Sequence, residues 1–393
     1  MNKRRIAIVT TTRAEYGLLV PLIRALGDSD SLEPLLVISG THLDAGGTAA
    51  EIEADGVAIA ARVAMPIGEA TDDEGRVAAL AQGLAGFGTA FTRLRPDAVV
   101  VLGDRYEMLA VATATVAMRL PLIHLEGGHV TEGALDDAVR HALTKLAVLH
   151  FTAHPAYAAR IRRMGEEAWR VHCVGSLAVD NIRAEPRLSL ADLSARAGLA
   201  LDGGFVLLTY HPATLAGDAA SLGELDALLQ ALDGRPDLKV LATAPNADPG
   251  GLAVRARLDA FVAARPGRAV LVPSLGRRAY LSAVALAAAV VGNSSSGLIE
   301  APSLGTPCLN IGERQAGRLR PAGVLDCPGE PAAVAAALAR VTAPEFRGLV
   351  DRDAFGDGTA AARIRKVLEQ VPFTDILRKR FQDEALGEED PRP

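Results

Sequence analysis

Short runs of consecutive apolar residues alternate along the chain with longer stretches whose apolar positions recur every three or four residues. The first pattern predicts strands covered on both faces and the second predicts one-sided helices, which together make βαβ units and parallel sheet. In the first half, strands are predicted over Ile6–Thr10, Leu35–Ser39, Ala98–Leu102, Leu122–Leu125 and Val171–Val174. Helices are predicted near Tyr16–Leu26, Asp72–Leu94, Tyr106–Met118 and Asp136–Leu149. The pattern then restarts, with strands over Phe205–Thr209, Val240–Thr243, Ala269–Val272, Ala288–Val291 and Cys308–Ile311. Its helices fall near Ser221–Leu232, Leu252–Ala264, Arg277–Ala287 and Gly297–Leu304. Pro186 and the polar Asp202-Gly203-Gly204 mark the stretch between the two sets as a connection. The expected organisation is one doubly wound α/β domain over 1–180, a connection over 181–204 and a second such domain over 205–372. Helices at Pro331–Val341 and Gly358–Gln370 close the second domain, and 373–393 forms a tail that reads as solvated from Asp383. Such sheets bind ligands beyond the C-terminal ends of their strands, here around a cleft faced by both domains.

Composition narrows the class. The 393 residues carry 41 Lys+Arg against 47 Asp+Glu, a net charge of −6, so no basic surplus points to nucleic acid. Aromatic residues are only 4%, which disfavours a stacking platform for single strands. Three cysteines, Cys173, Cys308 and Cys327, form no C-x-x-C pair and an odd set, so a reducing cytoplasm is expected rather than a disulfide framework. The basic start Lys3-Arg4-Arg5 precedes an apolar run too short for a signal peptide. The longest apolar stretch, Ala279–Val291, is too short to span a bilayer, and no membrane partner is expected.

The polar residues after the strands carry the candidate chemistry. Gly103-Asp104-Arg105 places an acid and a cation at a strand mouth, although Asp104 serves equally as a helix cap. Glu126 in His124-Leu125-Glu126-Gly127-Gly128-His129 follows an apolar strand, where a lone charge needs a partner or a function. His124, Glu126 and His129 are metal-ligand types, but their spacing matches no helical zinc motif, so no metal is expected. Asp136-Asp137 open an amphipathic helix with Val139, Leu143 and Leu146 on its apolar face. Acids suit that position, and Asp136 can pair with Arg140 one turn on, so on the residues alone it reads as a structural acid.

In the second half, Tyr210-His211-Pro212 ends a strand and turns His211 toward the site. Asn293-Ser294-Ser295-Ser296-Gly297 offers small residues and hydroxyls before a helix, an arrangement suited to an anion. Glu300 lies at no capping-box spacing from these serines and is placed to accept from a ligand's hydroxyls, such as a ribose diol. Arg13, in the loop after the first strand, is placed to clamp a phosphate. That loop is no P-loop and carries no G-x-G-x-x-G, which disfavours a dinucleotide-dependent dehydrogenase, and no cofactor is implied.

Six blocks in this order resemble the UDP-N-acetylglucosamine 2-epimerase family, from Thr12-Arg13-Ala14-Glu15-Tyr16-Gly17 to about Arg318. They are Gly103-Asp104-Arg105, His124 to Gly128, Asp136 to His141, Tyr210-His211-Pro212, Asn293 to Gly305 and Ile311-Gly312-Glu313-Arg314-Gln315. Glu126-Gly127-Gly128 and Asp136-Asp137-Ala138-Val139-Arg140-His141 are similar to the hydrolysing branch that forms N-acetylmannosamine for sialic acid. The resemblance implies a GT-B-like pair of Rossmann-like domains, nucleotide-sugar as substrate, and a homodimer or homotetramer. It implies catalytic roles for Asp104, Glu126, Asp136 and His211, and nucleotide or sugar contacts for Arg13, Arg105, Asn293, Ser294, Ser295, Glu300 and Arg314. For Asp136 it replaces the structural reading with a catalytic one. The resemblance leaves a second substrate open, UDP- or GDP-linked N,N'-diacetylbacillosamine of legionaminic acid synthesis. A glycosyltransferase and a non-catalytic nucleotide-sugar binding module are the remaining alternatives.

Overall fold

Along Ile6-Ala7-Ile8-Val9 successive side chains face opposite sides of a strand, and all four are fully buried. Ile6 and Ile8 join one apolar cluster while Ala7 and Val9 join another, so this strand is covered on both faces. The computed structural model describes residues 3–44, 47–69, 72–131, 135–212, 218–245 and 251–383. The end of the predicted tail, including Gly387 to Pro391, lies outside them.

Seven strands form the first sheet: β1 (Arg4–Thr10), β2 (Leu32–Ser39), β3 (Ile59–Val63), β4 (Ala98–Leu102), β5 (Leu122–Leu125), β6 (Leu149–Thr152) and β7 (Val171–Cys173). All pair in parallel, in the order β3-β2-β1-β4-β5-β6-β7. Six strands form the second: β8 (Phe205–Thr209), β9 (Lys239–Thr243), β10 (Ala269–Val272), β11 (Ala289–Gly292), β12 (Cys308–Ile311) and β13 (Val324–Cys327). Their order, β10-β9-β8-β11-β12-β13, repeats the first sheet's logic. Each sheet therefore reverses its strand order once, between β1 and β4 and between β8 and β11. At such a reversal the two neighbouring loops run in opposite directions and leave a crevice for a ligand. The two doubly wound, Rossmann-like units are those of a GT-B-like fold.

Three strands were not legible as apolar runs. β3 carries Arg62, β6 carries His150 and Thr152, and β13 carries Asp326. The helix expected to reach Leu149 stops at Leu146, because Leu149 already belongs to β6. The helix expected over Gly297–Leu304 is a 3-10 turn, Ser295–Gly297, followed by the single turn Glu300–Ser303. Among the described residues no helix is long and apolar enough to cross a membrane.

Two domain assignments need correction. The compact units are Met1–Asn181 with Gly358–Pro393, and Ile182–Asp357. The expected connection is thus mostly part of the second unit. Its helix Leu190–Ala197 buries Leu193 and Ala197 in the cluster that holds Phe205, Leu207 and Ala279. The closing helix Ala360–Gln370 belongs to the first unit. Its Ala361, Ile364 and Leu368 join the cluster of Leu19, Leu22 and Leu26 from the helix Arg13–Gly27. Periodicity shows that a helix has an apolar face but not which core receives it.

Polar contacts fix that choice. Asp180, itself buried, accepts from the backbone N–H of Ala360 at 2.9 Å and of Ala361 at 2.8 Å, the start of the closing helix. Arg4 donates to the carbonyls of Leu368, Glu369 and Val371 at 3.0, 2.7 and 2.8 Å, satisfying its other end. Replacing the carboxylate removes two charge-assisted bonds and leaves two buried donors unpaired. We expect Asp180→Ala to cost the first unit about 2–4 kcal/mol in urea unfolding, with the transition of the second unit unmoved.

Candidate active site

The loop after β1 begins with a capping box. Thr12 Oγ1 accepts from Glu15 N–H, and Glu15 Oε2 accepts from the N–H groups of Thr11 (2.7 Å) and Thr12 (3.1 Å) and from the Thr11 hydroxyl (2.9 Å). Burial nonetheless pushes the Glu15 carboxyl up, against the pull of those bonds. Arg13 follows the cap, 73% exposed and paired with Glu51 at 3.1 Å.

Across the strand reversal, β4 delivers Asp104 and Arg105. Asp104 is met by Arg140, whose side chain is only 4% exposed. Arg140 Nε and Nη2 both reach Asp104 Oδ2, the first at 3.0 Å, so Oδ1 takes no part in the pair. The same guanidinium donates to Asp137 Oδ1 (2.9 Å), Thr131 Oγ1 (3.0 Å) and the His129 carbonyl (3.2 Å). Arg105 donates through Nε and Nη2 to Oε1 of Glu107, a carboxylate that is 1% exposed.

The helix Leu135–Leu146 sorts the two adjacent acids. Asp137 turns inward to Arg140 and also accepts from Thr131 N–H at 2.7 Å. Asp136 makes neither bond, so the expected Asp136–Arg140 pair is replaced by Asp137–Arg140. The structural role falls to Asp137, and Asp136 is left facing outward. Its carboxyl is held above the usual range, first by desolvation and then by the charge of Asp104, against the opposing pull of Arg140 and Arg105. A carboxyl so held suits proton donation.

Glu126 follows β5 with φ of +59°, a left-handed conformation that non-glycine residues rarely adopt. Its Oε1 accepts from Ser176 Oγ at 2.6 Å, and its Oε2 lies 3.3 Å from His129 Nε2. The loop must pass close to a neighbouring helix: a Cβ on Gly128 (φ +84°) would stand 2.5 Å from the Tyr157 carbonyl. His124 is fully buried, with Nε2 2.7 Å from the Gly103 carbonyl and Nδ1 3.2 Å from Thr144 Oγ1. Both its ring nitrogens are therefore engaged within the sheet's own packing. Among the described residues no group of three or more His, Cys, Asp or Glu side chains is arranged to hold a metal ion.

In the second unit, the β8–β11 reversal opens on a pocket of about 460 Å³ whose lining includes Thr209, His211, Tyr280, Ser294, Ser295 and Glu300. Asn293 does not line it. Fully buried, Asn293 accepts from His211 N–H and donates to the His211 carbonyl, both at 2.8 Å, and so locks the two loops together. Its own carbonyl accepts from Arg314 Nη1 (3.2 Å) and Gln315 Nε2 (2.9 Å). The expected ligand contact at Asn293 is thus a positioning contact. Gly292 permits the crossing: at φ +132° its missing Cβ would lie 2.1 Å from the Thr209 carbonyl. The half-buried Glu300 carboxyl is pushed up by desolvation, which outweighs the Ser296 hydroxyl and Arg277.

These geometries meet a family description. The UDP-N-acetylglucosamine 2-epimerase family model matches residues 24–369. The chain belongs to that family. It is 40% identical over 329 residues to the GDP/UDP-N,N'-diacetylbacillosamine 2-epimerase (hydrolyzing) of Campylobacter jejuni, covering 83% of this chain and 85% of that one. It is 32% identical over 380 residues to the UDP-N,N'-diacetylbacillosamine 2-epimerase (hydrolyzing) of Legionella pneumophila, covering 96% and 98%. Its fold is similar to that of the UDP-GlcNAc 2-epimerase from Neisseria meningitidis bound to UDP-GlcNAc, with a TM-score of 0.75, 15% identity and coverage of 93% and 100%.

Within this family member, the first unit brings Asp104, Arg105, Glu126 and Asp136 to one set of strand ends, with Arg13 at the neighbouring loop. The second unit gathers His211, Ser294, Ser295 and Glu300, with Asn293 and Arg314 behind them. Sequence reading missed Glu15, although the spacing in Thr12-Arg13-Ala14-Glu15 is that of a capping box, and it missed His42. His42 is buried after β2, 3.1 Å from Thr10 Oγ1 through Nε2 and bonded to Thr48 Oγ1 through Nδ1. Arg140 was visible only as a possible partner of Asp136.

Burial holds both His42 and His124 at about 4, down from the ordinary 6.5, since desolvation disfavours imidazolium. The unfolded chain takes up these protons near 6.5, so between pH 6.5 and 4 it binds more protons than the fold does. Stability therefore falls as pH falls through that window. We expect the urea unfolding free energy of the first unit to drop steeply there, on the order of 3 kcal/mol for each histidine. The double variant His42→Gln/His124→Gln, less stable at pH 7, should show a flatter profile.

Proposed function

We propose that this protein is a hydrolysing 2-epimerase of UDP- or GDP-linked N,N'-diacetylbacillosamine, releasing the nucleoside diphosphate and the free C2-inverted sugar. The observation that carries the chemistry is the joining of two carboxylates through the buried guanidinium of Arg140: Asp104 to Arg140, Arg140 to the His129 carbonyl, and His129 to Glu126, with the charge of Asp104 raising the nearby Asp136 carboxyl. The substrate reading rests on the two relatives named above, both called diacetylbacillosamine 2-epimerases. It displaces N-acetylglucosamine and sialic acid supply from first place. UDP-N-acetylglucosamine stays as a second reading because the family description itself names it.

In this reading Ser294, Ser295 and Glu300 are nucleotide contacts, and Asp104, Glu126 and Asp136 supply the acid and base for the hexose. The C1–O bond breaks with its electron pair leaving on the diphosphate, and the positive charge that develops at C1 is stabilised by a neighbouring carboxylate. A carboxylate takes the C2 proton, and the C–H pair closes a C1=C2 double bond, giving a 2-acetamidoglycal. Water then adds its oxygen to C1 and gives up one proton to a carboxylate, while C2 receives a proton on the face opposite the one deprotonated. Asp136, with its raised carboxyl, is suited to return that proton. Inversion needs removal and delivery on opposite faces, so a single acid does not suffice.

A proton NMR time course in D₂O tests this. With UDP- or GDP-N,N'-diacetylbacillosamine we expect nucleoside diphosphate release together with 2,4-diacetamido-2,4,6-trideoxymannose deuterated at C2. Preferential turnover of UDP-N-acetylglucosamine to C2-deuterated N-acetylmannosamine overturns the substrate and keeps the chemistry. Product without C2 deuterium, or no reaction with any of these donors, overturns the epimerase reading.

A further inference from the structure

Glu126 is held more completely than its neighbours. Its backbone N–H donates to the Phe151 carbonyl at 2.9 Å, although the residue has left strand geometry at φ +59°. The buried Ser176 hydroxyl donates to Oε1 at 2.6 Å, and His129 Nε2 faces Oε2 at 3.3 Å. The His129 ring is itself fixed, stacked on Tyr157 with centroids 4.0 Å apart and planes at 28°. Arg160 lies over the far part of that assembly and donates to the Gly128 carbonyl, which pins the loop carrying both Glu126 and His129.

Ser176 has support from further away. Its Oγ accepts from Ala178 N–H at 3.2 Å at the start of the helix Leu177–Ala184. One turn along, Asp180 grips the first N–H groups of the closing helix. A chain of contacts therefore runs from Ala360 through Asp180 and Ser176 to the Glu126 carboxylate. Each oxygen of a carboxylate has two lone pairs. One donor on each oxygen fixes the plane of the group and leaves a second lone pair on each to meet a substrate proton.

We infer that Ser176 and His129 are positioning residues, a two-donor cradle that holds the Glu126 carboxylate in the one orientation useful for proton transfer at the sugar. The inference rests on the proposed catalytic role of Glu126. Misplacement of a catalytic group by about 1 Å can cost on the order of 10²-fold in rate. A cradle that acts only on orientation should appear in kcat and not in KM.

The test uses the full chain and the nucleotide-sugar it turns over, with kcat, KM and C2 deuterium incorporation as readouts. We expect Ser176→Ala and His129→Phe each to lower kcat by roughly 10–100-fold, with KM moving less than about threefold. Ser176→Thr, which keeps the hydroxyl, should return kcat to within about threefold of the parent. Ser176→Asp keeps an acceptor for Ala178 N–H but offers no donor to Glu126, so it should be as slow as Ser176→Ala. If Ser176→Asp is as active as the parent, Ser176 matters only as a helix cap and the cradle is overturned. Undiminished kcat in Ser176→Ala, or a loss that falls on KM alone, overturns it as well. Glu126→Gln separates the two levels. A fully active Glu126→Gln, or a parent protein that turns over no donor, sinks the role of Glu126 and the cradle with it. A slow Glu126→Gln beside a fast Ser176→Ala sinks the cradle alone.

Discussion

The acid site depends on one buried guanidinium. Arg140 has almost no contact with water, so its charge must be met inside the protein. Five donors in a fixed fork find Asp104, Asp137, Thr131 and the His129 carbonyl, which lie on three different segments. Those bonds set where β4's loop, the loop after β5 and the start of the helix Leu135–Leu146 can sit relative to one another. They also decide which of two adjacent aspartates is structural. Asp137 is consumed by Arg140, and Asp136 is thereby turned out beside Asp104. Like charges so placed push one carboxyl up, the circumstance in which neighbouring acids divide the labours of taking and returning a proton.

The second unit solves a different problem with an uncharged residue. Asn293 is an amide with one accepting and one donating end, and His211 presents one backbone group to each. The two loops at the β8–β11 reversal are thus held in register without any charge being buried. Ser294, Ser295 and Glu300 then line the pocket, while Asn293 itself stays out of it. The motif that looks like a row of ligand contacts is one clamp followed by contacts.

Much of this was legible in the sequence because burial on both faces writes a simple pattern. Ala98–Leu102, Leu122–Leu125, Phe205–Thr209, Ala269–Val272 and Cys308–Ile311 were read to the residue, since apolar residues dominate a strand covered on both sides and at most one polar side chain, such as His124 or Asn310, falls within each. β6 was hidden because His150 and Thr152 are buried polar residues, and His150 is paired with Glu166 far along the chain. The candidate acids stood out because charge immediately after an apolar run needs an explanation. Ser176 and His42 gave no such signal: a serine or histidine is unremarkable until the fold shows what it touches. The domain boundary failed for a related reason. The amphipathic stripe of Ala360–Gln370 fits either core, and only Asp180 and Arg4, some 180 and 360 residues away in sequence, mark which one.

That returning helix makes the first unit discontinuous in time as well as in sequence. A chain grows from its N-terminus at roughly 5–20 residues per second, so all of Ile182–Asp357 emerges before Ala360. The second unit is an uninterrupted stretch and can be complete while the first still lacks its last helix. For roughly 10–35 s, at those rates, Asp180 waits without its two amides, and the cluster of Leu19, Leu22 and Leu26 lacks the side chains of its last helix. The unit that carries Asp104, Glu126 and Asp136 is begun before the second unit and receives its closing helix after it, so it is the unit a newborn chain must shield from its neighbours.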